Sequence, residues 1–176
     1  MRTSYAYYNL TTGAEDALNR LQAVFYDTTG PLEPNLTIQA AYGVIYEYMT
    51  TGDKSRIKKV ETPGLMKEEY VYDGESRVKD YTQTIAYRES YPMKTSYLYD
   101  TLDRVTEARY PAQYGMAGDP RRIVEHTYDT ASRLTALKVN GTEQAGNITY
   151  NASDQTTSIK IGAAGTNQVI LQHDKQ

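Results

Sequence analysis

A short motif recurs between residues 70 and 155 and constrains the fold of the chain more than any other feature. Each copy reads aromatic, any residue, Tyr, Asp, three turn residues, Arg and an aliphatic residue. Successive copies are separated by an interval within the period of about 20 to 50 residues that is typical of repeat arrays. The copies comprise Tyr70, Tyr72, Asp73 and Arg77; Tyr97, Tyr99, Asp100 and Arg104; His126, Tyr128, Asp129 and Arg133; and a diverged copy with Tyr150, Asn151 and Gln155.

Each copy predicts a β-hairpin. Tyr97 and Tyr99 are two residues apart, so they share one face of a strand. Asp100 favours a turn because its carboxylate can accept the backbone N–H two residues further on. Arg104 begins the returning strand, where it can form an ion pair with Asp100 across the turn. Repetition of this unit predicts an all-β fold: an antiparallel meander of repeated β-hairpins forming a curved open sheet.

The repeats indicate that the chain is one array with an irregular first part. We expect a single array over residues 1–176, with irregular repeats at 1–65 and clear repeats at 66–91, 92–121, 122–146 and 147–170. In the irregular part Asp16 keeps its spacing to Arg20, Pro31 stands where the Arg would be, and a longer turn around Gly52 precedes Arg56. We interpret the chain as a fragment of a larger protein.

The apolar composition agrees with a sheet that is only partly buried. The chain contains 18 Tyr, 1 Phe and no Trp, with a mean hydropathy of −0.67. Tyr is amphipathic and suits a pleated, half-buried surface better than a dry core. The segment at 14–21 is the nearest candidate for a helix, but it is too short for helix propensity to decide.

Charge and cysteine content exclude several classes of protein. With 19 basic and 22 acidic residues, the chain has no basic surface of the kind that binds nucleic acid. It has no Cys, which excludes disulfides, thiolate metal sites and cysteine nucleophiles. The amino-terminal residues are polar, and no apolar run approaches the ~20 residues of a membrane helix. We therefore expect no signal peptide in this segment and no membrane-spanning part.

No residue pattern indicates an enzyme. His126 occupies the first aromatic position of its repeat, so packing explains it better than metal binding or catalysis. Asp73, Asp100 and Asp129 occur once per hairpin in equivalent surroundings, whereas a catalytic carboxylate pair needs two unlike environments in one cleft. We predict no catalytic, metal or cofactor site, and we assign the repeated residues a structural role.

The copies at Tyr72, Tyr99 and Tyr128 resemble the Rhs, or YD-repeat, family of bacterial polymorphic toxins, wall-associated proteins, insecticidal toxin complexes and animal teneurins. The resemblance implies a β-sheet strip that spirals into a hollow shell. In toxin members the shell encloses a carboxy-terminal effector, in teneurins it displays an adhesion surface, and YD repeats have been linked to carbohydrate binding. Residues 167–176 do not resemble the self-cleaving core of the toxin members, so no self-cleavage residue is carried over.

Two functions remain open at this point. The first is a structural shell or scaffold segment of a secreted or cell-surface bacterial protein that encapsulates or presents a toxin effector. Its partners would be flanking repeats of the same parent chain and an enclosed effector domain. The second is a binding module in which exposed tyrosines recognise a carbohydrate or a protein.

Overall fold

The computed structural model is an antiparallel β-sheet, and it describes residues 3–7, 16–26, 43–112, 120–162 and 167–172. Within these ranges, thirteen strands form one sheet in which the strand order is the chain order. The predicted all-β antiparallel meander of hairpins is thereby confirmed. The strands are β1 (Thr3–Ala6), β2 (Ala23–Tyr26), β3 (Gly43–Tyr48), β4 (Ile57–Thr62), β5 (Met66–Tyr72), β6 (Val78–Ile85), β7 (Met93–Tyr99), β8 (Val105–Ala112), β9 (Arg121–Tyr128), β10 (Leu134–Val139), β11 (Thr142–Tyr150), β12 (Thr156–Ile161) and β13 (Asn167–Ile170).

Three local features remain to be compared with the sequence: the helix candidate, a short 3-10 turn and the repeat that contains Pro31. The helix candidate at 14–21 contains, in its described residues, a turn from Asp16 to Arg20. In the described part of the chain, the one helical element is a short 3-10 turn, Ala86–Arg88, which the sequence did not indicate. Pro31, which stands at the arginine position of its repeat, lies outside the described residues.

The chain divides into two compact units, Met1–Lys94 and Thr95–Gln176. In the first unit, the strands β1 to β3 enclose a small apolar cluster. Ala6, Ala23 and Phe25 are buried, and Ile45 packs against them. The register places Ala6 opposite Ala23 and Ala23 opposite Ile45, so the cluster forms on one face of the three strands.

That same face continues along β3 to β5 as a network of charges. Lys59 lies opposite Glu47 on one side and Glu69 on the other. Its Nζ is 3.2 Å from Oε1 of Glu47 and 3.0 Å from Oε2 of Glu61. The opposite face carries tyrosines, among them Tyr70, which lies opposite Tyr81 on β6. Alternation along the strands thus separates a charged face from an aromatic face.

The second unit buries little apolar surface. Its buried apolar residues in the described ranges are Ala108 and Ile148. Tyr97 lies opposite Ala108, which in turn lies opposite Val124. Large side chains on these strands are mostly half-buried. Packing of neighbouring strands, side chain against side chain, therefore replaces a central core in this unit.

One connection in this unit follows a strong local rule. Asn140 and Gly141 alone join β10 to β11, and both have positive φ, 50° and 77°. Asn-Gly is the preferred pair for a two-residue hairpin turn in which both residues are left-handed. The Asn140 side chain also accepts a hydrogen bond from the backbone N–H of Ile123, at 2.8 Å.

Candidate functional site

The three clear repeats share one turn geometry, built around the aspartate. In each, Oδ1 accepts the backbone N–H groups of the second and fourth residues after the aspartate, and Oδ2 accepts Nε of the arginine. The distances in this order are 3.0, 2.9 and 2.7 Å for Asp73; 2.9, 3.1 and 2.6 Å for Asp100; and 2.9, 2.9 and 2.8 Å for Asp129. A single carboxylate therefore satisfies two backbone donors and one guanidinium, which fixes the turn.

The residue before the arginine has a left-handed backbone in every such turn. Ser76, Asp103 and Ser132 have φ of 64°, 61° and 64°. This conformation is costly for most residues, and Asn and Asp tolerate it best. The sequence identified these positions as turn residues, but a varied set of Ser and Asp did not reveal that one position must be left-handed.

The aspartates of these turns are more acidic than usual. Burial alone would raise the pKa of Asp73 and Asp100, but the hydrogen bonds from the backbone and guanidinium of Arg77 and Arg104 outweigh it and lower both pKa values. For Asp129 the backbone N–H of Arg133 contributes most to the lowered pKa. Each carboxylate thus remains charged beside its arginine, which fits a structural ion pair.

The diverged fourth copy keeps the turn without the charges. Oδ1 of Asn151 accepts the backbone N–H groups of Ser153 at 2.9 Å and Gln155 at 3.0 Å. Its Nδ2 donates to Oε1 of Gln155 at 2.8 Å, in place of the ion pair. Asp154 takes the left-handed position, with φ of 60°. An amide pair therefore reproduces the geometry of an Asp-Arg pair.

Two turns in the irregular part are related to this geometry. Asp16 accepts the N–H of Leu18 at 2.8 Å, and its Oδ2 lies 2.9 Å from Nη2 of Arg20. Asp53 pairs with Arg56 one residue closer in sequence, at 3.1 Å from Nε. The turn chemistry thus extends into the part of the chain where the motif is hardest to recognise.

A contact between consecutive repeats accompanies each of four arginines, and we call it the clamp. The guanidinium lies over the ring of the tyrosine that precedes the next turn, and the hydroxyl of that tyrosine donates to the carbonyl of the residue after the arginine. Arg104 lies 4.8 Å from the centroid of the Tyr128 ring, and the Tyr128 hydroxyl donates to the Val105 carbonyl at 2.9 Å. The motif's Tyr and Arg therefore belong to one contact that spans two hairpins.

The same contact recurs in both units. Three further clamps lie in the described residues. Each is given with its centroid and hydroxyl distances: Arg133–Tyr150–Leu134 (4.8 and 2.7 Å), Arg20–Tyr48–Leu21 (4.5 and 2.8 Å) and Arg56–Tyr72–Ile57 (5.8 and 2.7 Å). Burial raises the pKa of the Tyr48 and Tyr72 hydroxyls, which keeps them protonated as donors. Sequence reasoning missed the clamp, although a Tyr directly before the Asp of each clear repeat was the available signal.

The first aromatic position of each repeat makes different contacts. Tyr70 faces Tyr81, with ring centroids 5.3 Å apart, and Tyr97 lies 6.4 Å from Tyr99. The His126 ring stacks at 18° on that of Tyr128, with the ring centroids 6.4 Å apart. Its buried Nδ1 has no hydrogen-bond partner among the described residues.

A cavity of about 780 Å³ opens beside β8, β9 and β10. Val124, Leu137 and Val139 supply apolar lining, and Tyr110 and Arg122 add an aromatic ring and a cation. Pro111 and Pro120 also line the cavity. They precede and follow residues 113–119, which lie outside the described residues. Sequence reasoning did not single out Tyr110 as a possible binding residue.

In the described ranges, no cluster of His, Asp and Glu could hold a metal ion. None of the helical structure described for this chain is long and apolar enough to cross a membrane. No protein-family model and no curated protein matches the chain. The turns and clamps are therefore assigned from their geometry alone.

Proposed function

We propose that this chain is a structural segment of an Rhs-type, YD-repeat array. In this proposal it forms part of the wall of a shell or scaffold in a secreted or surface-delivered bacterial protein, and the wall encloses or presents a toxin effector. Flanking repeats of the same parent chain continue the sheet on either side. The repeated residues act by holding hairpins together, with no catalysis of their own.

The observation that carries this proposal is the series of clamps. Each clamp joins one hairpin to the next through a guanidinium–ring contact and a hydroxyl–carbonyl hydrogen bond, as between Arg104 and Tyr128. The arginine simultaneously holds the aspartate of its own turn, as Arg104 holds Asp100 at 2.6 Å. A contact that repeats from neighbour to neighbour stabilises an array of any length, whereas a central core limits a domain to one size.

The polarity of the strands also supports a wall. In the first unit the charged network of Lys59 occupies one face and tyrosines such as Tyr70 occupy the other. Lys59, Glu61 and Tyr70 are half-buried, and Glu47 is exposed. A sheet of this kind is suited to water on one or both faces, as the wall of a hollow body requires.

The strand β13 supports continuation of the array. All four of its residues are exposed, and Ile170 is 69 % exposed. An exposed strand with apolar side chains at a sheet edge tends to pair with another strand. Residues 1 to 176 made alone should therefore oligomerise, which light scattering after size-exclusion chromatography measures. A monomer at all concentrations, with cooperative unfolding, would contradict the proposed continuation.

The shell itself is tested on the protein encoded by the complete reading frame that contains this chain. Electron microscopy should show a wall of hairpins around internal density. A solid particle with no enclosed space would overturn the shell, even if the clamps are present. Immunoblotting of the culture supernatant and the cell surface tests the proposed delivery.

The cavity at Tyr110 favours a second candidate, a surface that binds a carbohydrate or a protein. The Tyr110 ring is 48 % exposed at the cavity, with Arg122 beside it, whereas the hydroxyls of the clamp tyrosines are already engaged. Binding on a glycan array should then be lost in Tyr110→Ala. The control Tyr87→Ala removes a ring that is 83 % exposed and does not line the cavity, and it should leave binding intact.

A further inference from the structure

A second group of tyrosines lies outside the clamps, on β5 and β6. Tyr70 and Tyr81 are directly opposite each other in the register of the two strands. Their ring centroids are 5.3 Å apart, with the rings tilted by 46°. Residues directly opposite on neighbouring strands have Cβ atoms only about 5 Å apart, so these rings are held side by side by the sheet itself.

A single carboxylate receives both hydroxyls. Oε1 of Glu68 accepts the Tyr81 hydroxyl at 2.7 Å, and Oε2 accepts the Tyr70 hydroxyl at 3.1 Å. Glu68, Tyr70 and Tyr81 are all half-buried. The two phenols therefore share a proton acceptor within hydrogen-bond distance, the geometry that proton transfer requires.

Loss of an electron from a phenol makes its hydroxyl strongly acidic, so the proton must leave at nearly the same moment. Burial and the hydrogen bond to Glu68 raise the pKa of Tyr70 to about 12. This phenol is therefore protonated at neutral pH, and oxidation has to be accompanied by transfer of the proton to a nearby base. Glu68 is placed to accept it.

We propose that Tyr70 and Tyr81 are an oxidative cross-linking site, at which a one-electron oxidant, such as a peroxidase using hydrogen peroxide, joins the two rings as dityrosine. Each phenol loses one electron and one proton, and the two radicals couple through the ring carbons beside the hydroxyls. The hydrogens on those carbons then return to the oxygens, which restores both phenols. The two electrons and two protons reduce one hydrogen peroxide to two water molecules.

The cross-link would tie β5 to β6 across the turn between Asp73 and Arg77. The chain has no cysteine, so it cannot form such a covalent tie with a disulfide. A covalent bond between paired strands reduces the freedom of the unfolded chain and should raise the thermal midpoint of this hairpin. The tie would thus add strength to a region that has few buried residues.

The test oxidises the full chain at low protein concentration with photo-excited tris(bipyridine)ruthenium, with persulfate as the final electron acceptor. Persulfate takes the two electrons to give two sulfate ions, and two protons are released. Digestion and mass spectrometry should find a peptide joining Tyr70 to Tyr81, lighter by two hydrogen atoms, as the main cross-link within one molecule. Dityrosine fluorescence follows its rate.

Variants separate the roles of the three residues. Tyr70→Phe and Tyr81→Phe should each abolish this peptide. Glu68→Gln should slow its formation several-fold because the proton acceptor is lost. Tyr87→Phe removes a far more exposed phenol, 83 % exposed, and should leave the Tyr70–Tyr81 product unchanged.

The wild-type protein alone can overturn the proposal. Unfolding in concentrated urea should abolish the preference for Tyr70–Tyr81, since the sheet no longer pairs the rings. Cross-links that favour Tyr87 in the folded protein, or a Tyr70–Tyr81 yield equal in the folded and unfolded chain, would show that the pairing confers no selectivity. An unchanged rate in Glu68→Gln would remove Glu68 from the proposed step.

Discussion

In the strands β1 to β3, Ala6, Ala23 and Phe25 are buried together, and Ile45 covers them. In the strands β7 to β12, the buried apolar residues of the described part are Ala108 and Ile148, and clamps such as Arg104–Tyr128 connect the hairpins. Apolar burial depends on area and tolerates rearrangement, whereas a clamp depends on the direction of a hydrogen bond and the position of a guanidinium. The first region should thus be sensitive to volume and the second to chemical identity.

The largest loss of stability is expected from Phe25→Ala. The side chain is only 4 % exposed, and truncation of a buried Phe typically costs about 3 to 5 kcal/mol of the free energy of unfolding. Hydrogen exchange of the β2 amides, with and without urea, measures the loss. The neighbouring Tyr26→Ala, at 42 % exposed, should cost much less. Equal losses would show that no apolar cluster distinguishes this region.

A smaller effect is expected from Tyr128→Ala, which removes a half-buried ring, its guanidinium contact and its hydrogen bond to Val105. We expect a loss of about 2 to 3 kcal/mol, below that of a fully buried aromatic. Tyr128→Phe keeps the ring and should lose only about 0.5 to 1.5 kcal/mol, the value of one hydrogen bond. Urea denaturation followed by β8 and β9 amide exchange measures both. A harmless Tyr128→Ala would remove the clamp from the account of stability.

The sequence predicted each hairpin, but it did not predict the clamp that joins one hairpin to the next. Tyr97, Tyr99, Asp100 and Arg104 stand at fixed spacing, so period-two alternation and turn chemistry were enough to predict strand, turn and strand. The clamp joins Arg104 to Tyr128, 24 positions away, and local spacing carries no information about such a pairing. It follows from which hairpin lies beside which, and this is decided by the sheet as a whole.

The pairing of Tyr70 with Tyr81 was beyond the sequence for a related reason. The register of β5 against β6 includes a shift between Val71 and Tyr72. A shift of one residue exchanges the two faces of a strand, so counting back from the turn does not give the correct partner. Glu68 also carried no signal, because an acidic residue on a strand is usually solvated.

A third loss of stability is expected from substitutions of Arg104. Arg104→Met removes the ion pair with Asp100, the contact with the Tyr128 ring and a hydrogen bond to the Asp129 carbonyl at 3.1 Å. Partly exposed contacts of these kinds sum to about 1 kcal/mol, which denaturant melts can resolve. Arg104→Lys should recover little, since an ammonium lacks the planar fork. Full recovery with Lys would indicate that charge alone matters.

A fourth effect depends on pH. The pKa values of Asp100 and Asp129 are lowered, so the folded state binds their protons less readily than the unfolded state does. In the unfolded state an Asp carboxyl has a pKa of about 3.9. Stability from these pairs is therefore present above that value and lost as pH falls through the lower folded values. The protection factor of the Arg133 amide, its exchange rate relative to an unstructured peptide at the same pH, should fall in acid, while that of Gln155, in a turn that begins with Asn151, should change less. Equal loss of protection at the two amides would contradict the assignment.

The smallest change in stability is expected from exchanging the charged and amide residues of two turns, the one that begins at Asp129 and the one that begins at Asn151. Asp129→Asn with Arg133→Gln keeps the turn bonds but should remove the Arg133 contact with the Tyr150 ring and the 2.8 Å pair with Asp154. The reverse change, Asn151→Asp with Gln155→Arg, supplies an ion pair worth at most about 0.5 kcal/mol, because residues 156–176 contain no tyrosine that could receive the new guanidinium. Denaturant melts of the two double variants should therefore differ in size as well as in sign. Equal and opposite changes would mean that the ion pair alone distinguishes the turns and that the ring contributes nothing.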